Sequence, residues 1–419
     1  MSAPLEGLTV LDLTRILSGP FCTMLLADLG ADVIKIEQPG LGDPARGNGP
    51  FLTLDDNGNQ VSASAQREGA FSSYFMSINR NKRSIAIDLR DPKGAALLLN
   101  LVEHADVLVE NFRPGTMEKF GLAYDALKAR NPRIVMASIS GFGQTGPYAY
   151  RPALDVIVQG MGGMLSITGE PGGEPVRPGA SMGDITAALF TTVAIQTALL
   201  EREKSGEGQY IDISMLDCQV AIMENAFTRY FTLGEIPERI GTRHPSSTPF
   251  QAFETADGHV VIAIMGGSTE QWPLFCAAIE HPELIDDERY QSGWGRTQHY
   301  DELIPIIKGA MREKPTSEWV DLLASMGIPV GPVQNIAEVA VDPQVNERGM
   351  FVDVDHPALG WVKFAGNPIK LSRTPVVSAV SPPELGQHSA DVLKQVLGMS
   401  DADVADLVSA NIVSDGSAA

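Results

Sequence analysis

The stretch LTVLDLTRILSGPFCTMLLADLGADVIKIE (Leu8–Glu37) decides the fold class. Leu8–Leu13 is an apolar run of strand length, as a strand buried on both faces requires. Thr14–Pro20 reads as a loop. Ser18 is placed to cap a helix with Pro20 in its first turn, where a missing N–H costs little. That helix, Phe21–Leu29, stops at Gly30, and Ala31–Glu37 is a second strand. Strand, short helix and strand make a βαβ unit, whose two strands lie parallel.

The alternation continues along the chain. Ser84–Leu89 is a strand, Asp91-Pro92 opens a helix to about His104, and Asp106–Glu110 and Arg133–Ile139 are further strands. Helical segments lie near Pro114–Phe120 and Tyr124–Ala129. This order predicts an α/β fold with a Rossmann-like parallel sheet covered by helices on both faces. Ligands of such sheets gather at the carboxyl ends of the strands. The loops Thr14–Pro20, Gln38–Phe51, Asn111–Gly115 and Ser140–Pro147 are therefore the ones to watch. None of them carries GxGxxG, which weakens a nicotinamide-dehydrogenase reading. Residues 52–73 are polar and poor in pattern, and are expected to form a surface insertion.

Downstream, Gly179–Phe190 (GASMGDITAALF) places one acid, Asp184, before a long apolar helix expected over about Ile185–Lys204 and ended by Gly206. Asp184 then falls at the N-cap. Two readings stay open on spacing alone: a plain capping carboxylate, or a carboxylate kept ionised by the helix N-terminus and delivered between glycines to a substrate. Tyr210–Ser214 reads as a strand and Met215–Leu233 as a core helix. Character changes near Gly241. Pro249–Ile264 is a hairpin turned by Asp257-Gly258, followed by Gly266-Gly267 and by helices around Gln271–Ala278, Tyr300–Met311 and Thr316–Met326. A chain of 419 residues exceeds one core. The expected division is 1–229 for the first part of the large domain, 230–325 for a smaller α+β domain, and 326–419 returning to the large domain. Past Pro332 the pattern is less regular, with helices at Ala390–Leu397 and Ala402–Ser409 and a frayed end at Ser414–Ala419.

The formal charge of −21, from 52 acids against 31 bases, argues against a nucleic-acid partner, whose phosphates would be repelled. A phosphorylated small ligand needs only a few local cations and remains compatible. The three cysteines, Cys22, Cys218 and Cys276, are far apart and without CxxC spacing. Neither a disulfide framework nor a metal site is expected, and the seven histidines include no pair at metal spacing. The start MSAPLEGLTVLDLT lacks a basic segment followed by a long apolar run, and no uncharged apolar run reaches a membrane span of about 18 residues. The expectation is a cytoplasmic protein with no membrane partner. A serine elbow and a P-loop are also absent from the sequence.

Several stretches coincide with one pattern. Leu8–Glu37, Arg80–Leu89 (RNKRSIAIDL), Asp106–Gly115 (DVLVENFRPG), Asn131–Pro147, Gly183-Asp184 and the hairpin Pro249–Phe253 with Thr255–Gly258 all resemble the family III CoA-transferases, also called the CaiB/BaiF family. The resemblance spans about residues 4–400. It implies interlocked ring-like homodimers, a Rossmann-like large domain that takes both termini, and a catalytic aspartate matching Asp184. It implies a CoA-transferase that acts on acyl-CoA and a carboxylic acid acceptor, with CoA as carrier and no tightly bound cofactor.

By the same resemblance Ile16, Leu17 and Ser18 border the thiol end of CoA. Gln38, Ile87, Asp88, Leu89, Arg90, Asn111, Phe112 and Arg113 surround its nucleotide and pantetheine, and Lys119 meets a phosphate. Gly266-Gly267 matches the glycine loop that, in the formyl-CoA transferase branch, closes over the acyl intermediate; the alternative is a simple turn. Gln38 and Leu17 replace an arginine and a glutamine of that branch, which argues against oxalate as acceptor. The racemase branch uses a His-Asp pair that here reads Leu154-Asp155, and leucine exchanges no proton. A non-catalytic CoA-binding paralogue would have lost the nucleophile. Arg15 and Arg46 lie in loops near the proposed site and are candidates to pair with a second substrate carboxylate, which favours a small dicarboxylate.

Overall fold

The structure is a computed structural model of the chain, describing residues 2–66, 69–265 and 270–416. Its main sheet has seven strands in the order Val413–Ser414, Lys82–Ile87, Asp32–Glu37, Thr9–Asp12, Val107–Glu110, Val135–Ser140 and Tyr210–Ser214. Neighbours run parallel except at the first edge, where the C-terminal strand is antiparallel to Lys82–Ile87. The central strand shows why consecutive apolar residues were needed. Leu11 faces a core with Ile34, Ile85, Leu98 and Leu108. Val10, one residue earlier, faces the other core with Val33, Val107, Leu26 and Ile195. Successive side chains point to opposite faces of a strand, so covering both faces calls for apolar residues at consecutive positions, and the one buried charge of this strand, Asp12, is paired.

From Thr9–Asp12 the chain first builds outward through Asp32–Glu37 and Lys82–Ile87. It then returns to the other side with Val107–Glu110. The strand order therefore reverses between Thr9–Asp12 and Val107–Glu110, and the loops after these two strands flank a crevice. Those loops are Thr14–Leu17, which leads into the helix Ser18–Asp28, and the segment beginning at Asn111. Gly19 allows that helix to start close against its own loop: a Cβ there would lie 2.3 Å from the Thr14 side chain.

The chain divides into two compact units. The first holds residues 1–164, 178–225 and 346–419; the second holds 165–177 and 226–345. The second unit thus extends to Val345 instead of stopping near residue 325, and it recruits a short segment from before the Asp184 helix. Its core packs Phe253, Val260 and Ile262 of the hairpin against Trp272, Phe275, Leu303 and Trp319. A third strand, Val330–Pro332, joins the hairpin.

Other elements differ from the sequence expectation. The insertion around 52–73 carries structure of its own: Phe51–Leu54 pairs with Gln60–Ala63 and Phe71–Ser72 in a small antiparallel sheet. The less regular region after Pro332 contains the hairpin Phe351–His356 and Gly360–Ala365. Ser414, expected to fray, is held with Val413 in an edge strand on Lys82–Ile87. Each of these strands is short or alternating, and its register is set by a distant partner that local pattern does not reveal. The segment Met215–Leu233 is broken into Met215–Ala221 and Glu224–Leu233. The helix Met182–Ser205 is long and apolar enough to cross a membrane by length and composition. It packs against the Ser18–Asp28 helix and the sheet, with Ala187, Ala188, Thr191 and Ile195 buried.

Candidate active site

Asp184 stands in the first turn of Met182–Ser205, two residues inside the helix, and not at its N-cap. The capping oxygen comes from elsewhere. Asp155, at the start of the helix Asp155–Met161, accepts the Gly183 N–H at 2.8 Å and the Asp184 N–H at 3.3 Å through the same oxygen, Oδ1. Its Oδ2 accepts from Gln159 Nε2 at 2.7 Å. Gln219 holds the same turn from the other side, donating to the Met182 carbonyl and to Thr186 Oγ1. Gly183 is required for this approach, since a Cβ would lie 2.7 Å from Val158 and 3.0 Å from Asp155 Oδ1. Asp155 thus satisfies backbone donors of the helix start, and the half-buried Asp184 lies in the first turn beside it.

Tyr74 completes the electrostatics. It lies in the short helix Ser73–Ile78 and is half-buried. Burial, then the charges of Asp184, Asp43 and Asp155, push its phenol up to about 12. It therefore stays protonated at any working pH.

The crevice at the strand reversal is a cleft lined by Thr14, Arg15, Ile36–Gln38, Gly42, Asp43, Ile87–Arg90, Phe112 and Phe120. Arg15 lies over the Phe112 ring, 4.5 Å from its centre, and Asn111 brackets the Arg15 backbone, accepting its N–H and donating to its carbonyl. The cleft thus presents an aromatic face, a guanidinium and backbone at the carboxyl ends of the sheet, a setting suited to a nucleotide-bearing ligand.

The pattern of CoA-transferase family III matches residues 5–389. The chain belongs to the family III CoA-transferases. It is similar to the succinyl-CoA:glutarate CoA-transferase of Homo sapiens, 38% identical over 98% of this chain and 90% of the relative. It is also similar to the acetyl-CoA:oxalate CoA-transferase of Acetobacter aceti, at 41% identity over 88% of this chain and 89% of that one. A solved CaiB/BaiF family structure from Brucella suis superposes with a TM-score of 0.81 and 36% identity, covering 94% of this chain and 100% of that one. The chain is an enzyme that transfers CoA to a carboxylate.

Within this CoA-transferase, the structure gathers Gln38, Ile87, Asp88, Leu89, Arg90 and Phe112 of the expected CoA residues on the one cleft, together with Arg15. Leu17 and Ser18 are buried at the start of the adjoining helix, Leu17 as its N-cap and Ser18 as its first residue, not its cap. Several charges are committed elsewhere. Arg46 donates to both oxygens of Glu37, at 2.8 and 2.7 Å, and stacks on Phe75, so its guanidinium serves a buried ion pair. Among the two candidates for a second substrate carboxylate, Arg15 is the one on the cleft. Arg90 folds back onto Asp88, at 2.7 Å. Arg113 lines a second cavity with Glu110, Tyr124, Gln144 and Tyr210, and Lys119 ends the short helix Thr116–Lys119, exposed. Gly266 and Gly267 lie outside the described residues.

Sequence reasoning passed over three residues. Tyr74 sits just past the segment read as an insertion, Asp155 was read only as half of a missing racemase pair, and Asp43 lay in a loop. Only the i,i+4 spacing of Asp155 and Gln159 was a usable local signal.

Glu110, the last residue of its strand, is 3% exposed. Burial pushes its carboxyl up to about 7, although the Ser138 hydroxyl and the Phe112 N–H pull the other way. The folded chain then keeps a proton that the unfolded chain releases near 4.5. This stabilisation is full below the unfolded value and is lost as pH rises through about 7. Between about pH 5 and 8 the wild-type enzyme should lose roughly 3 kcal/mol more stability than Glu110→Gln, which keeps an acceptor for Phe112. Urea midpoints of both proteins at the two pH values measure this. Equal losses in the two proteins would show that Glu110 does not carry the proton.

Proposed function

We propose that the enzyme moves CoA from an acyl-CoA donor to a small dicarboxylate through covalent intermediates on Asp184. The observation that carries this reading is the helix start: Asp184 stands in the first turn, at the positive helix end whose Gly183 and Asp184 N–H groups point to Asp155, a place that favours negative charge. In the first step a carboxylate oxygen of Asp184 attacks the thioester carbonyl and the C–S bond breaks, giving a mixed anhydride and CoA thiolate. The thiolate attacks the aspartyl carbonyl and the donor acid leaves as carboxylate. The resulting aspartyl-CoA thioester is attacked by the acceptor carboxylate, releasing thiolate again. The thiolate then attacks the acceptor's acyl carbon and Asp184 is restored. No net proton is taken up or released, and one difficult exchange becomes four acyl transfers.

Tyr74 is the hydrogen-bond donor for these steps, because a neutral phenol among carboxylates stabilises oxyanion charge as it develops. Tyr74→Phe is expected to slow transfer roughly tenfold to a hundredfold. Turnover within twofold of wild type would remove that role.

The dicarboxylate assignment draws on the acids named in the relatives, glutarate, succinate and oxalate, and on Arg15 at the cleft. The relative named for oxalate keeps that acid among the candidates despite Gln38 and Leu17. The interlocked homodimer belongs to the same reading. It fits the apolar residues that the long helix exposes, Leu189, Phe190, Val193 and Leu200.

The test is a trap. The enzyme is incubated with a panel of acyl-CoAs, hydroxylamine is added, and the digest is mapped by mass spectrometry. A hydroxamate on Asp184 is expected, with succinyl-CoA among the productive donors. Modification of another acid would move the nucleophile. A preference for uncharged fatty acyl groups over dicarboxylates would remove the substrate assignment.

A further inference from the structure

Ile16 occupies φ +67°, in the left-handed region that a β-branched residue avoids. Such a conformation persists only where its surroundings over-determine it. Here they do. The Ile16 N–H donates to Asp43 Oδ1 at 3.0 Å, and the same oxygen accepts the Ala45 N–H at 2.9 Å. Asp43 Oδ2 lies 2.9 Å from Lys35 Nζ. That ammonium also donates to the Thr14 carbonyl at 2.9 Å. Asp43 is 2% exposed and Lys35 is fully buried. Glu37 holds Asp43 in turn, accepting its backbone N–H at 2.9 Å while paired with Arg46. With the Asn111 bracket on Arg15, each of residues 14, 15 and 16 is gripped by a side chain from another segment.

A loop that only joined a strand to a helix would not need this. Glycine at position 16 would relieve the backbone, and a neutral polar residue would spare the cost of burying a carboxylate and an ammonium. The gripped loop lines the cleft, and Tyr74 feels the charges of both Asp43 and Asp184. The loop and its clamp therefore lie on the cleft, with Tyr74 within electrostatic reach of both the clamp and Asp184.

We propose that Asp43, backed by Lys35, is a positioning residue for the transfer reaction: it fixes the strained Arg15–Ile16 backbone against the bound acyl-CoA. This rests on the reading of Asp184 as the nucleophile. The clamp acts on the alignment of the thioester with that carboxylate, and so on the rate of acyl transfer more than on CoA affinity.

The test uses Asp43→Asn, Ile16→Gly and the double variant in the full-length enzyme. The asparagine keeps an acceptor for Ile16 but turns its amide toward Lys35. The glycine removes the strain and with it the backbone's single conformation, without burying or unpairing a charge. Turnover is normalised to the sites that form hydroxamate, so that unfolded protein does not count. Both single variants are expected to lower kcat at least tenfold with KM for acyl-CoA within about threefold. The double variant should be no slower than the slower single, because both changes loosen the same backbone segment. A merely structural clamp would lower melting temperature while leaving kcat per active site unchanged, and that result in Ile16→Gly overturns the proposal even if Asp43→Asn fails to fold. The wild-type enzyme in the same assay separates the two ideas. Absence of an Asp184 hydroxamate there refutes the nucleophile assignment, whereas wild-type trapping with unaffected variants refutes only the clamp.

Discussion

Asp184→Asn is expected to lower CoA transfer about a thousandfold or more while leaving the fold unchanged. The amide has the shape of the carboxylate but a much weaker nucleophile, so the first C–O bond to the acyl group does not form. The backbone N–H groups of residues 183 and 184, which Asp155 caps, are untouched by the change. The helix start should therefore persist, and melting temperature should move by a few degrees at most. Asp184→Ala serves as a second variant that cannot revert by deamidation. Two measurements check the expectation: initial rates of CoA transfer, and the hydroxamate trap, which should yield no modified peptide at this position. Transfer within tenfold of wild type in both variants would mean that another group attacks the thioester. Loss of the melting transition would instead assign Asp184 a role in the fold.

Asp12→Ala should cost about 3–5 kcal/mol of stability, the range for breaking a buried ion pair on one side. Asp12 is fully buried at the end of the central strand. Its Oδ2 accepts from Lys82 Nζ at 3.0 Å and from Thr23 Oγ1 at 2.7 Å, and its Oδ1 accepts from the Thr14 N–H at 2.9 Å. Lys82 also donates to the Pro20 carbonyl and to Asn79 Oδ1. Burial alone would raise the Asp12 carboxyl, but Lys82, Lys35 and the two threonine hydroxyls outweigh it and hold it well below the ordinary carboxylate range. Alanine leaves the Lys82 ammonium in the core with carbonyl-type partners only. The sign in pH follows from the lowered value: the contribution is present above about pH 4 and is lost as pH falls through the folded range. Wild type should therefore show a steeper fall in stability on acidification than the variant. Denaturant midpoints at neutral and acid pH measure both effects. In Asp12→Ala/Lys82→Met, removal of the stranded charge should restore part of the loss. A cost below about 1 kcal/mol in the single variant would show that the pair is not carrying the loop and helix it joins.

These two acids mark how far the sequence could be read. The apolar runs of Leu8–Leu13, Asp106–Glu110 and Arg133–Ile139, with helices between them, require a parallel sheet, because periodicity and crossover length are local properties of the chain. The family resemblance, carried by short motifs, pointed to Asp184 and to the cleft residues around Gln38, Ile87 and Phe112. What the linear chain could not show is which atoms meet. Asp184 looked like an N-cap because it is the only acid near that helix start in sequence. The actual cap, Asp155, arrives from an earlier helix through a gap that Gly183 leaves open. Arg46 looked like a free cation in a loop, and tertiary structure places Glu37 within reach of both its donors. Lys35 and Asp12 lie in apolar strands, where a charge reads as a mismatch until its partner is known. The small sheet of residues 51–72 and the hairpin at 351–365 escaped for a related reason: strand pairing is a contact between distant segments. The sequence by itself determined the alternation of strands and helices in the large domain, its parallel sheet and the family, all of which follow from local pattern or motif. Only the tertiary structure decided the cap, the ion pairs and the clamp on Ile16, because hydrogen bonds and charge pairing depend on distances of about 3 Å between residues far apart in the chain.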